Sequence, residues 1–199
     1  MPTLFVDRQY KWGRGGPWHV TDSATLLATG NDPVRHHRHY QIDIETDGQR
    51  FTARQRNGET GFEVSDDTTG EQLVGLRFTD FGHSGRGRRE VATLDLTSTG
   101  ATLTWNHLPE ERQLGFYETT GAPVMVIAHR LDVQPSAGHG IARTLLRFWS
   151  SALKGADRYQ IEITDEAVGR LVLSEELPIL ALLGMHLERT YNQRHGYYR

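Results

Sequence analysis

The stretch LPILALLGMHL, Leu177 to Leu187, is apolar on nearly every side and follows a long run of short amphipathic segments. As a helix rising about 1.5 Å per residue it covers only about half of a bilayer's hydrocarbon core, too little to span a membrane. A helix without a polar face must be surrounded by protein instead. In a chain otherwise rich in strands, the simplest enclosure is a barrel wrapped around it.

The strands are legible upstream. From Trp18 to Leu131 the chain repeats a strand of alternating polarity, a turn ending in glycine, and a second strand. The turns are Thr46-Asp47-Gly48, Thr68-Thr69-Gly70, Ser98-Thr99-Gly100 and Thr119-Thr120-Gly121, with Asn57-Gly58 as a further signal. Tight hairpins need positive φ, which costs glycine little. Between them, Tyr40, Ile42 and Ile44 alternate with polar residues, as do Val74, Leu76 and Phe78, and Ala92, Leu94 and Leu96. Period two is the mark of a half-buried strand. Val124 to Leu131 is apolar on both faces over much of its length, and Trp18 to Thr29 reads as an earlier hairpin turning near Asp22-Ser23. Residues 1–16 are read as an irregular N-terminal segment, and 192–199 as a tail.

Beyond Pro135 the period changes. Ile141, Leu145, Phe148 and Trp149 fall at helical spacing, which predicts an amphipathic helix over Ile141 to Leu153. A strand follows at Tyr159 to Thr164, and then the apolar helix, with Asp165 or Ser174 as its cap and Pro178 suited to its first turn. The sum is mainly β: a closed antiparallel barrel of roughly ten to twelve strands enclosing a hydrophobic C-terminal helix, in a single domain. An eight-stranded barrel is filled by its own side chains, so the count and the helix agree.

The chain of 199 residues has a net charge of −3, which disfavours a dedicated nucleic-acid binder. It contains no cysteine, which excludes disulfides, thiolate zinc sites and a cysteine nucleophile. The N-terminus lacks the apolar core of a signal peptide, so a cytoplasmic location is expected.

The hairpin repeats closed by a short apolar helix resemble the tubby C-terminal-like superfamily, which includes the phospholipid scramblase-like and plant LURP-one-related proteins. The segments that carry the likeness, of bacterial type, are Phe62 to Phe78, Leu114 to His129 and above all Arg158 to Tyr191. The resemblance implies a closed barrel around a hydrophobic helix, and phosphoinositide or phospholipid binding in some members. The acidic calcium-binding stretch of the animal scramblases has only Asp165-Glu166 and Glu175-Glu176 as counterparts here, and the cysteine-rich segment is absent. No functional residue is therefore carried over.

Two clusters could carry chemistry. Arg35-His36-His37-Arg38-His39 places three imidazoles within four positions, a start toward a zinc, nickel or copper site. In a strand His37 and His39 share a face and His36 does not, so a third ligand such as His19 or His83 would have to come from elsewhere. A solvated basic loop end is the simpler reading, and no metal or other cofactor is expected. The second cluster, Gly82 to Arg89, carries Arg86, Arg88 and Arg89 on a glycine-rich loop; such guanidiniums bind phosphate bidentately. A flexible, soluble hairpin loop is again the simpler reading. His186 inside the apolar helix reads as a core histidine, and the tryptophans as core residues. No nucleophile elbow, P-loop or dinucleotide fingerprint is present, so an enzyme is disfavoured.

The sequence thus points to a non-enzymatic binding module. Its expected ligand is anionic phospholipid headgroups, contacted peripherally at the inner membrane surface through Arg35, Arg38, Arg86, Arg88 and Arg89. The alternative is a soluble protein–protein interaction or regulatory scaffold, and a metal-dependent enzyme built on the histidines is a distant third.

Overall fold

The computed structural model describes residues 2–11, 14–31, 41–55, 61–78, 91–108, 113–129 and 156–195. Twelve strands follow one another: β1 (Thr3–Lys11), β2 (Arg14–Thr21), β3 (Leu26–Gly30), β4 (Gln41–Thr46), β5 (Gln49–Gln55), β6 (Gly61–Asp66), β7 (Gln72–Phe78), β8 (Val91–Leu96), β9 (Thr102–Leu108), β10 (Gln113–Glu118), β11 (Pro123–His129) and β12 (Ala156–Ile163). Each pairs antiparallel with the next, and β12 pairs with β1, which closes the barrel. The helix α1 (Leu177–His195) follows β12 through two short 3-10 turns, Asp165–Ala167 and Ser174–Glu176.

The N-terminal segment corrects the sequence reading. Thr3–Lys11 is no irregular lead but the strand that closes the barrel, in register with β12 from Thr3↔Glu162 to Gln9↔Ala156. Its alternation is masked because the third inward position after Leu4 and Val6 is Arg8, a charged residue only 2% exposed. Residues 192–195 likewise belong to the helix rather than to a tail. Tyr40, the Asn57-Gly58 turn and the predicted helix over Ile141 to Leu153 lie outside the described residues.

The turns form as their residues dictate. Asp47 and Gly48 both take positive φ, 39° and 79°, the left-handed pair that a two-residue hairpin requires. At the β2–β3 turn the Asp22 carboxylate accepts backbone N–H bonds from Ala24 and Thr25, and these hold its pKa below the ordinary aspartate value.

Inward-facing Ile, Leu, Val and aromatic residues line the barrel, including Trp18, Phe62, Leu94, Trp105, Phe116 and Ile161. The helix occupies the space they enclose. Every residue from Leu177 to Leu187 is buried, with Leu180, Leu183 and Leu187 at 0%, 1% and 2% exposure. Its contacts point in different directions. Leu182 lies against Gly30 of β3, His186 stands edge-on to Phe62 of β6 at 5.2 Å between ring centroids, and Gly184 lies against Phe116 of β10 and Ile127 of β11. A helix touching β3, β6 and β11 at once runs through the barrel rather than beside it. The residues buried all round explain why no polar face was needed.

The helix is seated at its start by Glu176, a carboxylate only 2% exposed. One oxygen accepts the backbone N–H of Leu173 at 2.9 Å and the other accepts the hydroxyl of Ser98, in the β8–β9 turn. Glu176 thus closes a capping box on the 3-10 turn that leads into the helix, reaching back three residues to Leu173. Pro178 falls in the first turn, where its missing N–H leaves no bond unmade.

Candidate functional site

Among the described residues, the buried helix occupies the interior of the barrel. Arg8, a charged side chain only 2% exposed, stacks its guanidinium on Trp18 with 5.1 Å from its carbon to the ring centroid. Trp18 in turn packs on Tyr159, their centroids 6.1 Å apart. Trp18 and Trp105 are core residues, and His186 is a core histidine, as their sequence setting suggested. Trp12 and Trp149 lie outside the described residues.

The outward positions of β4 and β5 are charged or polar, the reverse of the apolar outer belt of a membrane-spanning barrel. A groove of about 600 Å³ crosses β3, β4 and β5 on this face. Two parallel rows line it. Gln41, Asp43 and Glu45 come from β4, and Arg54, Thr52 and Arg50 stand opposite them on β5 in register. Asp43 accepts a bond from the Gln41 amide at 2.8 Å, and Thr52 donates its hydroxyl to Asp67 at 2.7 Å. An acidic row beside a basic row suits a partner carrying both signs of charge, and its carboxylates oppose a simple anion.

The second surface feature is the distribution of charge along the barrel axis. In an up-and-down meander the connections after β2, β4, β6, β8, β10 and β12 share one end. The segments making that end, residues 22–25, 47–48, 66–71, 97–100, 118–122 and 164–176, hold ten acidic side chains and one basic one, Arg170. The chain has 25 acidic residues and 22 lysines and arginines, so the remainder carries 15 acidic and 21 basic ones. One end of the barrel is therefore strongly acidic and the rest is net basic. Arg170 itself is engaged, donating to Glu118 at 2.6 Å.

The sequence-predicted headgroup residues Arg35, Arg38, Arg86, Arg88 and Arg89 lie outside the described residues, as do His36, His37, His39 and His83. The strand ends that flank them are described. Asn31 and Gln41, and Phe78 and Val91, all open at the end opposite the acidic turns. His19 is half-buried on β2, in register with Asp7. Among the described residues no three His, Asp or Glu side chains are grouped to hold a metal ion, and no helix is long and apolar enough to cross a membrane. The groove and the axial charge separation were both missed in the sequence, since each joins residues on different strands.

Comparison of the chain with protein-family profiles, with curated proteins and with solved structures returns no match. What defines it is its architecture, a twelve-stranded antiparallel barrel plugged by its C-terminal helix.

Proposed function

We propose that this chain is a non-enzymatic binding module that docks on anionic phospholipid headgroups at a membrane surface, its acidic end turned away. The observation that carries the reading is the concentration of acid at one end of the barrel, ten acidic residues to one basic in its turn segments, against a basic excess over the rest of the chain. A negative surface repels the acidic end, and the basic excess of the rest of the chain draws the barrel in the other way round, so charge alone orients it. The attraction is peripheral, without a spanning helix, and belongs to the inner membrane surface of a cytoplasmic protein. The resemblance to tubby- and scramblase-like proteins supports the same chemistry.

On this reading Arg86, Arg88 and Arg89, with Arg35 and Arg38, contact the headgroups. Each basic residue near such a surface contributes on the order of 1 kcal/mol. Replacing the three arginines of 86–89 with serine then lowers affinity for anionic vesicles roughly a hundredfold at low salt. Co-sedimentation with phosphatidylserine-containing and phosphatidylcholine vesicles, at low and high salt, tests this. Binding to the anionic vesicles at low salt only is the expected result. A protein that ignores anionic vesicles at low salt contradicts it.

A second reading, a protein–protein interaction scaffold, draws support from the groove over β3 to β5. Paired acidic and basic rows suit a partner protein of mixed charge better than a membrane.

A further inference from the structure

The contact between Ser98 and Glu176 joins an exposed hairpin turn to the buried start of the plug. Ser98 is exposed, in the turn between β8 and β9. Its hydroxyl donates to one oxygen of Glu176, and the backbone N–H of Leu173 donates to the other. The neighbouring Thr99 hydroxyl donates to the Leu171 carbonyl at 2.7 Å, so the turn grips the segment before the helix at two points. Glu176 is buried and ionisable, and among the described residues the serine hydroxyl is one of two donors to its carboxylate. A buried carboxylate deprived of a donor loses much of what makes its burial tolerable.

The equivalent turn between β6 and β7 isolates what is special here. Thr69 there accepts the N–H of Glu71 as Thr99 accepts that of Ala101, so the two turns share their local geometry. In the first, the residue matching Ser98 is Thr68, whose backbone N–H bonds to Asp66 within the turn. Only the β8–β9 turn carries a hydroxyl to the helix start among these two.

We propose that Ser98 is a phosphorylation site and that its phosphorylation unlatches the plug helix. A protein kinase would transfer the γ-phosphoryl of a nucleoside triphosphate to Ser98 Oγ. The bond from the γ-phosphorus to the bridging oxygen breaks, the new P–Oγ bond forms, the hydroxyl proton leaves to the kinase's base, and the nucleoside diphosphate departs. The ester oxygen has no hydrogen to donate, so Glu176 loses that bond. The added charge of about −1.5 to −2 then stands against a buried carboxylate, in an end already rich in acids. Both effects act on the 3-10 turn that leads into α1, and the strands need not change. The latch is independent of what the barrel binds at the end away from the acidic turns.

The test uses the full chain with phosphoserine encoded at position 98, and at Ser23 as a control. Ser23 is also an exposed serine in a turn of the acidic end. Hydrogen exchange of the Ile179 to Leu183 amides is the readout. Phosphoserine at 98 should speed it at least tenfold over the unmodified chain, and phosphoserine at 23 should leave it within twofold. Should the phosphoserine-98 chain not fold, the same modification in Glu176→Gln keeps the question open to measurement. The Gln amide can donate to a phosphate oxygen, so that chain should fold, with exchange within threefold of unmodified Glu176→Gln. Equal exchange for the two phosphoserine chains, or a phosphorylation effect that Glu176→Gln leaves undiminished, overturns the latch. Mass spectrometry of the chain isolated from its own cells should find phosphate on Ser98; a fully unmodified Ser98 there overturns its assignment as a modification site.

Discussion

Gly184 of the plug lies so close to Ile127 of β11 that a Cβ on it would stand 2.7 Å from Ile127 Cδ1, and 3.1 Å from the Phe116 ring. The helix and the barrel wall are fitted to each other at this glycine. Gly184→Val should therefore destabilise the protein by about 1–3 kcal/mol through overpacking, even though a valine favours a helix more than glycine does. Urea denaturation would register this as a lower midpoint at unchanged slope. A midpoint equal to the wild type would mean that the helix has room to shift.

Leu183 is 1% exposed within the enclosed helix. Leu183→Ala removes its packing and leaves a cavity in the barrel, at a cost of about 2–5 kcal/mol. Ending the chain after Glu176 removes the plug altogether and leaves the inward faces of twelve strands unfilled. That truncation should be insoluble or lack a cooperative transition. A soluble, cooperatively unfolding truncation would contradict the enclosed-helix architecture.

Ser98→Ala leaves the buried Glu176 without one of its two donors. The cost should be about 1–3 kcal/mol, as for other buried acceptors left unmade. Thermal denaturation measures it, and the double variant with Glu176→Gln should recover part of the loss, since a neutral amide is cheaper to bury than a carboxylate.

The plug was readable because eleven consecutive residues declare it. LPILALLGMHL has no polar face, and one sequence window suffices to see that. Strands β4, β7, β8 and β11 were readable for a similar reason, since period two and glycine turns are local signals. Strand β1 was not. Its inward row is Leu4, Val6 and Arg8, and the arginine is accommodated by stacking on Trp18, ten residues away on β2. The Glu176 cap was equally hidden, because its second donor is Ser98, 78 residues earlier. The groove over β3 to β5 and the acidic end depend on which strands become neighbours, and only the closed topology sets that.

Asp22 offers a test of turn geometry by titration. Its carboxylate accepts two backbone N–H bonds in the fold, and these lower its pKa. The group is ionised more readily folded than unfolded. Its contribution to stability is thus present above the unfolded aspartate pKa and lost as pH falls through the lowered folded value. Carboxyl carbon shifts followed by NMR should place the Asp22 midpoint below that of an unstructured aspartate. Thr25→Pro, which deletes one of the two N–H donors, should raise it. An Asp22 midpoint at the ordinary value would mean that the turn bonds are not held in solution.

The proposed docking on an anionic surface rests on charge orienting the barrel. The chain has no cysteine, so single labels can be introduced cleanly. Ser23→Cys carries an environment-sensitive fluorophore at the acidic end, and Gln41→Cys carries one where β4 begins, at the opposite end. Each labelled protein is mixed at low salt with phosphatidylserine-containing vesicles whose lipids bear a headgroup quencher. The account predicts strong quenching at position 41, little at position 23, and loss of both effects at high salt. Equal quenching at the two positions, stronger quenching at 23, or none at either would contradict it.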